Sequence, residues 1–175
     1  MERQLIPFDK FLVKTHARWA EQWMLLTAGD FDEGHFNAMT VGWGSFGTMW
    51  SKPFAQVVVR PTRYTYEFMN AYDTFTLCGF SEEYDQALQI LGTKSGRDGN
   101  KIAEAGITPI ASSQVAAPGF AEAELIVECR KMYWDDFEPG QFLDPSIENN
   151  YPLKDYHRIY FGDIVAISGE KVYTI

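Results

Sequence analysis

Two arginines and two threonines stand close together in the stretch VVVRPTRYTYEF, residues 57–68. Arg60 ends a run of valines, and the proline after it stops strand pairing because it has no backbone N–H. We expect a helix with Thr62 as its N-cap, which places Arg63 and Thr65 in the first turn. A helix N-terminus favours an anion, and guanidinium and hydroxyl groups there add charge-assisted hydrogen bonds. This arrangement favours a phosphate site; the alternative is ordinary pairing of the arginines with surface carboxylates.

A second group of basic residues lies in the loop TKSGRDGNK, which begins at residue 93. Lys94, Arg97 and Lys101 face a single aspartate, and Gly96 and Gly99 allow backbone amides to form an anion-binding nest. Taken alone, this stretch is typical of a solvated surface loop. With two such basic groups in a protein of net charge −9, we favour one phosphorylated ligand held from two sides.

The stretch NAMTVGWG, residues 37–44, predicts a strand with one bulky and one nearly bare face. Met39, Val41 and Trp43 would point one way, whereas the opposite face would carry Thr40 and two glycines. Glycine in a strand often marks a place where something approaches the backbone closely. The functional interpretation is a planar ligand lying on the bare face; the alternative is a barrel corner, or a neighbouring aromatic side chain that fills the gap.

The histidines and cysteines show no metal-like spacing. His16, His35 and His157 are scattered, and Cys78 and Cys129 form neither a zinc motif nor a disulfide framework. His157 begins the last predicted strand and is our one candidate for a side chain in proton or hydride chemistry, with a structural role as the alternative. Motifs of serine hydrolases, P-loop NTPases and Rossmann dinucleotide-binding proteins do not occur.

Length and composition limit the class of protein. The 175 residues predict one domain, 1–175, and 46% hydrophobic with 22% charged residues is ordinary for a globular protein. Aromatic residues make up 15%, which suits a flat ring ligand or a subunit interface. The net charge of −9 argues against nucleic acid and anionic membranes as partners. No apolar run of signal-peptide length opens the chain, so we expect the cytoplasm.

The hydrophobic pattern predicts mainly β-structure with short helices. Tyr84, Ala87, Leu88 and Leu91 recur at helical spacing after Ser81, a candidate N-cap, and Gly92 suits the helix end. The predicted strands cover 23–30, 37–44, 54–60, 73–80, 123–134 and 157–168, and the predicted helices 62–71, a stretch after Ser81 and a short piece at 102–106. We interpret 135–156 as a long ordered loop. The sum is most typical of a closed or partly closed barrel.

These stretches resemble a known family. NAMTVGWGSFGTMWSKP followed by VVVRPTRYTYEFM and FTLCGF is similar to the flavin reductase-like proteins of the FMN-binding split-barrel group, and closest to the branch that includes flavoredoxin. The loop SGRDGNK and the closing HRIYFGDIVAI also resemble that branch. The similarity extends from about residue 20 to the C-terminus.

The resemblance implies a homodimer of split β-barrels with one FMN in each subunit, near the interface. It implies that the isoalloxazine lies along Asn37, Met39, Thr40, Val41 and Trp43, that Arg63 and Thr65 hold the phosphate, and that Ser95, Gly96 and Lys101 complete that end. The implied activity is hydride transfer from NAD(P)H to flavin. The alternatives are an electron-transfer flavoprotein that serves a protein partner and a non-redox binding protein. The cofactor carries most of this chemistry, so no catalytic triad is expected.

Overall fold

Ten β-strands and four short α-helices are formed by residues 2–175, the part of the chain that this computed structural model describes. The strands are β1 (Gln4–Leu5), β2 (Met24–Asp30), β3 (His35–Val41), β4 (Gly44–Met49), β5 (Lys52–Val59), β6 (Thr74–Gly79), β7 (Pro109–Ile110), β8 (Gly119–Phe120), β9 (Leu125–Asp136) and β10 (Arg158–Gly169). The helices are α1 (Thr15–Ala20), α2 (Tyr64–Ala71), α3 (Asp85–Thr93) and α4 (Lys101–Ala105). The expected mainly-β fold with short helices is confirmed.

Seven strands form one antiparallel path in the order β3-β2-β6-β9-β10-β5-β4, and β1 pairs with the far end of β10. β2 and most of β5 are buried on both faces, which explains why their sequences are almost continuously apolar. β3 and β4 follow each other in the chain yet stand at opposite ends of the path, with no ladder between them in the described residues. The barrel is therefore split along this seam.

Two apolar cores lie on the two sides of the sheet. The larger fills the barrel and is built around Phe75, Leu77 and Tyr160. The smaller lies between the sheet and α3, where Leu88 and Leu91 meet β-strand residues. This second core fixes the end of α3 against β3, which matters for the site described below.

Several predicted boundaries were wrong. The stretch 37–44 is two strands rather than one, because the chain leaves β3 after Val41 and enters β4 at Gly44. Ser81 precedes a 3-10 turn instead of capping α3 directly, and its hydroxyl bonds Glu83. Gly92 lies inside α3, which ends at Thr93. α1 and β1 had no prediction.

The helix predicted from Thr62 starts two residues later. Arg63 is the N-cap of α2 in an extended conformation, and no side chain caps the helix. The Thr62 hydroxyl reaches the carboxylate of Asp155, 3.5 Å away, instead of a backbone amide of the helix. The predicted loop 135–156 is ordered and contains two 3-10 turns, Pro139–Gln141 and Pro145–Asn150.

Candidate functional site

A small cavity lies where the start of α2 meets the end of α3. It has a volume of about 90 Å³ and contains four of the residues assigned to the phosphate. Its lining is formed by Thr62, Arg63, Tyr64, Thr65, Thr93, Lys94, Ser95 and Lys101. We call this cavity the anion corner. The structure thus brings together two segments that are about 30 residues apart in the chain, as the two basic groups in the sequence suggested.

Two cations at the anion corner lack a carboxylate partner. Arg63 donates from Nη2 to the carbonyl of Gly92, and the buried Lys101 ammonium donates to the carbonyls of Leu91 at 2.9 Å and Lys94 at 3.0 Å. Among residues 2–175 neither forms an ion pair with a carboxylate. Carbonyl oxygens orient both groups without neutralising them, so the corner keeps its positive charge.

Burial and a neighbouring cation lower the pKa of each of these two groups. Burial, followed by the charge of the nearby Arg63 guanidinium, lowers the pKa of Lys101 to about 8. Burial, followed by the charge of Arg60, also lowers the pKa of Arg63. An anion bound between Arg63 and Lys101 would relieve both effects, because an opposite charge favours the protonated form. Two cations without a carboxylate partner in one cavity would therefore favour an anionic ligand.

Asn37 connects the anion corner to β3. Its amide Nδ2 donates to the Thr65 hydroxyl at 2.7 Å, and both side chains are buried. Gly96 passes so close that an added Cβ would lie 2.2 Å from the Asn37 amide oxygen. Only glycine fits this backbone position, which explains its place in the basic loop. Asn37, Thr65 and Gly96 therefore form one packed unit behind the cavity.

The remaining cations of the basic loop are paired. Arg97 bonds the carboxylate of Glu67 and stacks 4.8 Å from the Tyr64 ring centre, and Lys94 pairs with Glu104. Ion pairs this exposed contribute little energy. Lys101, which is almost fully buried, is the loop's contribution to the charge of the corner.

A groove lies further along β3, between its end and β5. Its volume is about 230 Å³, and it contains four of the residues assigned to the ring. The lining is Met39, Thr40, Val41, Gly42, Trp43, Val58, Arg60 and His157. We call this cavity the ring groove. β3 is an edge strand of the path, so alternate residues direct unpaired backbone N–H and C=O groups away from β2.

The predicted bare face of this strand is partly covered. An added Cβ at Gly44 would lie 2.4 Å from the Trp19 ring, and one at Gly42 would lie 3.2 Å from Trp23. Thr40, on the same face, bonds the carbonyl of Leu88 in α3. At Gly44 the alternative of an aromatic side chain that fills the gap is correct, whereas Thr40 and Gly42 line the ring groove. The ring groove follows the strand edge.

Arg60 does not belong to the anion corner. Its guanidinium donates to Asp155 at 2.8 Å and to the carbonyl of Asn150 at 2.7 Å, and lies 4.9 Å from the centre of the Tyr151 ring. The alternative of carboxylate pairing is therefore correct for Arg60, and the anion interpretation fits Arg63. No local pattern indicates Asp155 as the partner, because it lies 95 positions after Arg60 in the chain.

His157 lies at the mouth of the ring groove. Its Nδ1 shares a hydrogen bond of 2.8 Å with the Tyr151 hydroxyl, and its ring centre is 5.2 Å from that of Trp43. Burial, followed by the charge of Arg60, lowers the pKa of His157 to about 4, although Asp155 acts in the opposite direction. The imidazole is therefore neutral at pH 7. Tyr151 was missed by the sequence reasoning, although the aromatic density of the loop was a usable signal.

Other parts of the surface are poorer candidates for an anionic cofactor. A larger cavity, about 610 Å³, is lined by five carboxylates that would repel an anion: Glu21, Glu82, Glu83, Asp85 and Glu124. Within residues 2–175, no three His, Cys, Asp or Glu side chains converge in a way that could hold a metal ion. Each helix in the described part of the chain is too short or too polar to span a bilayer.

Comparison with known proteins gives consistent matches over most of the chain. A family model described as "Flavin reductase like domain" matches residues 17–172. An uncharacterized protein of Pyrococcus abyssi is 28% identical over 145 residues, which are 81% of this chain and 70% of that protein.

Two solved structures show the same fold. An FMN-binding domain of a flavin reductases-like enzyme from Shewanella baltica superposes with a TM-score of 0.70 at 16% identity, covering 97% of this chain and 78% of that chain. Flavoredoxin of Desulfovibrio vulgaris superposes with a TM-score of 0.67 at 20% identity, covering 92% and 75%. At these identities the similarity shows the fold alone.

Proposed function

The chain belongs to the flavin reductase-like family, and from this we propose that it is an FMN-binding oxidoreductase that transfers hydride from NAD(P)H to flavin. One observation carries the proposal at the level of residues. Arg63 and Lys101 share a cavity at a helix N-terminus and lack a carboxylate partner in the described residues. FMN is the cofactor that the family and this charge arrangement support best.

The phosphate of FMN would lie at the anion corner and its isoalloxazine in the ring groove. The residues that would hold the phosphate are Arg63, Thr65, Ser95, Gly96 and Lys101, and those beside the ring are Met39, Thr40, Val41 and Trp43. Asn37 lies between the two sets. β3 runs about 13 Å from Asn37 to Val41 at the usual rise per residue, which suits a ligand with an anionic tail and a ring head.

The chain's own part in the chemistry is to bind, orient and tune. When bound, FMN supplies the capacity to accept a hydride and to pass electrons on. The unpaired backbone groups of the β3 edge offer hydrogen bonds to the polar rim of the ring. His157 adds a neutral imidazole whose Nδ1 is engaged by Tyr151. A neutral group at this position can donate or accept a hydrogen bond without adding charge to the groove.

The protein would act as a homodimer. The described surface exposes two large aromatic side chains with ring centres 6.0 Å apart: Trp50, in the turn between β4 and β5, is 58% exposed, and Tyr133 on β9 is 44% exposed. Rings at this exposure are typical of surfaces that pair with another protein. Sedimentation equilibrium would test this; a mass of one chain at micromolar concentration would contradict it.

A second candidate is an electron-transfer flavoprotein that serves a protein partner. The flavoredoxin name of one structure with the same fold favours keeping this alternative. Two measurements decide between the candidates. An absorption spectrum of the freshly purified protein shows whether flavin is bound. If no flavin stays with the protein even after FMN is added and the excess removed, both candidate functions are refuted. Consumption of NADH or NADPH with excess FMN then separates a reductase from a carrier that turns over slowly.

A further inference from the structure

Arg60 ties the end of β5 to a segment nearly a hundred residues away. Three points of residues 137–157 contact its guanidinium: the Asp155 carboxylate at 2.8 Å, the Asn150 carbonyl at 2.7 Å and the Tyr151 ring at 4.9 Å. A planar guanidinium with several donors suits such a multipoint contact, which a lysine cannot reproduce. These contacts give Arg60 a role that differs from that of Arg63.

The segment 137–157 needs such an anchor. It contains no α-helix or β-strand, and Leu143 and Leu153 are 98% and 79% exposed. Its own order comes from a small aromatic cluster, in which Phe142 stacks on Tyr151 with ring centres 6.0 Å apart. A loop with so little buried surface opens easily unless it is tied to a rigid element. β5, which is paired with β10 on one side and β4 on the other, is such an element.

The anchored segment contributes His157 to the lining of the ring groove. Tyr151, under the Arg60 guanidinium, shares its hydroxyl with His157 Nδ1 at 2.8 Å. The His157 ring in turn lies 5.2 Å from Trp43 across the groove mouth. Arg60, Tyr151, His157 and Trp43 therefore form a continuous chain of contacts from the barrel to the groove.

We propose that Arg60 is a positioning residue that clamps residues 137–157 to the barrel and so holds His157 as one wall of the ring groove. The clamp needs no flavin; its consequence for catalysis rests on the proposed function. A second ligand that enters beside the flavin then meets a wall whose position depends on Arg60. Retention of the flavin depends instead on Arg63. Arg60 and Arg63 thus have different roles: Arg60 positions the groove wall, and Arg63 retains the flavin.

The charge state of His157 reports on the clamp. Burial is the main reason for its low pKa of about 4, Arg60 lowers it further, and Asp155 opposes this. Tyr151, the other titratable side chain in contact, is protonated because burial raises its pKa. Removing Arg60 deletes a cation, leaves Asp155 in place and admits water. All three changes raise the pKa of His157.

The decisive experiment compares Arg60→Gln with Lys52→Gln in the full-length, flavin-free protein. Lys52→Gln is the control because it removes an exposed ion pair with Asp163 at the other end of β5. Trypsin can report on the segment because Lys154 is the single lysine or arginine within 137–157. We expect cleavage at Lys154 to accelerate about tenfold or more in Arg60→Gln only. In NMR titrations, the His157 pKa should move from about 4 toward 6.5.

Unchanged cleavage together with an unchanged His157 titration would overturn the clamp. If Arg60→Gln does not fold, Arg60→Lys keeps the charge and loses the multipoint contact; faster cleavage at Lys154 then supports the clamp, and parental cleavage overturns it. A parent protein that binds no FMN would refute the proposed function, whereas the trypsin and NMR tests of the clamp would remain valid because they use the flavin-free protein.

Discussion

FMN affinity is expected to fall as the pH rises from 7 to 9, and Lys101 is the reason. Its ammonium is buried beside Arg63 and is held by two carbonyl oxygens, which orient it without supplying negative charge. In the free protein its pKa is therefore lowered to about 8, and burial is the larger cause. A bound phosphate favours the charged form, so binding above pH 8 must recruit a proton.

The magnitude follows from this pKa. At pH 7 most of the free protein carries the Lys101 ammonium, whereas at pH 9 about a tenth of it does. If the bound phosphate returns the pKa to the ordinary 10.5, binding at pH 9 costs an additional 1.4 kcal/mol or so, which is about tenfold in affinity. The phosphate itself stays dianionic over this range, since its second pKa is about 6. The pH dependence of FMN affinity therefore comes from the protein and not from the phosphate.

Quenching of flavin fluorescence on titration with flavin-free protein measures the affinity at each pH. Lys101→Arg is the matched variant, because arginine keeps its proton throughout and should give a flat profile between pH 7 and 9. Lys52→Met, at an exposed lysine far along β5, should keep the parental slope. A parental profile that is flat or rises with pH, or an equal slope in Lys101→Arg, would show that Lys101 does not contact the phosphate.

Three further predictions concern the same site. Arg63→Ala should weaken FMN binding by about 1.5–3 kcal/mol, the usual scale for a hydrogen bond to a charged group, or about ten- to a hundredfold; parental affinity in the same titration would mean that the guanidinium has another task. Gly96→Ala should displace the Asn37 amide, since the new Cβ would lie 2.2 Å from its oxygen, and should lower both the melting temperature and FMN affinity; a parental melting temperature would argue against this packing. Gly42→Val should destabilise the protein by about 1–3 kcal/mol in urea unfolding, because its Cβ would lie 3.2 Å from Trp23. Loss of FMN binding at full stability would support the earlier bare-face interpretation instead.

The sequence predicted the elements whose signals are local. The valine run before Arg60 identified a strand buried on both faces, and the helical spacing of Leu88 and Leu91 identified α3. The two basic groups predicted one cavity because charges of like sign in an acidic protein need a shared reason to cluster. Arg63 and Lys101 do meet there.

What could not be predicted depends on partners far away in the chain. Nothing near Gly44 indicates that Trp19 covers it, because α1 follows an N-terminal segment without a strong periodic pattern. In the same way, nothing near Arg60 indicates Asp155. In both cases a function was assigned to a residue, Gly44 or Arg60, whose tertiary contact cannot be recognised from the neighbouring sequence. The start of α2 also differs from the prediction, since the Thr62 hydroxyl lies 3.5 Å from the Asp155 carboxylate and caps no helix amide.

The anion corner is formed by the start of α2 and by the loop after α3. These two segments share little apolar surface, and both carry positive charge. A ligand with a dianionic tail would act there as a removable cross-link between them. The apparent melting temperature should therefore depend on the concentration of free FMN, since a ligand that binds only the folded state adds stability by mass action. Dilution during purification would loosen the very region that recaptures the cofactor, and amide hydrogen exchange at residues 92–101 would record how much of the protein is loaded.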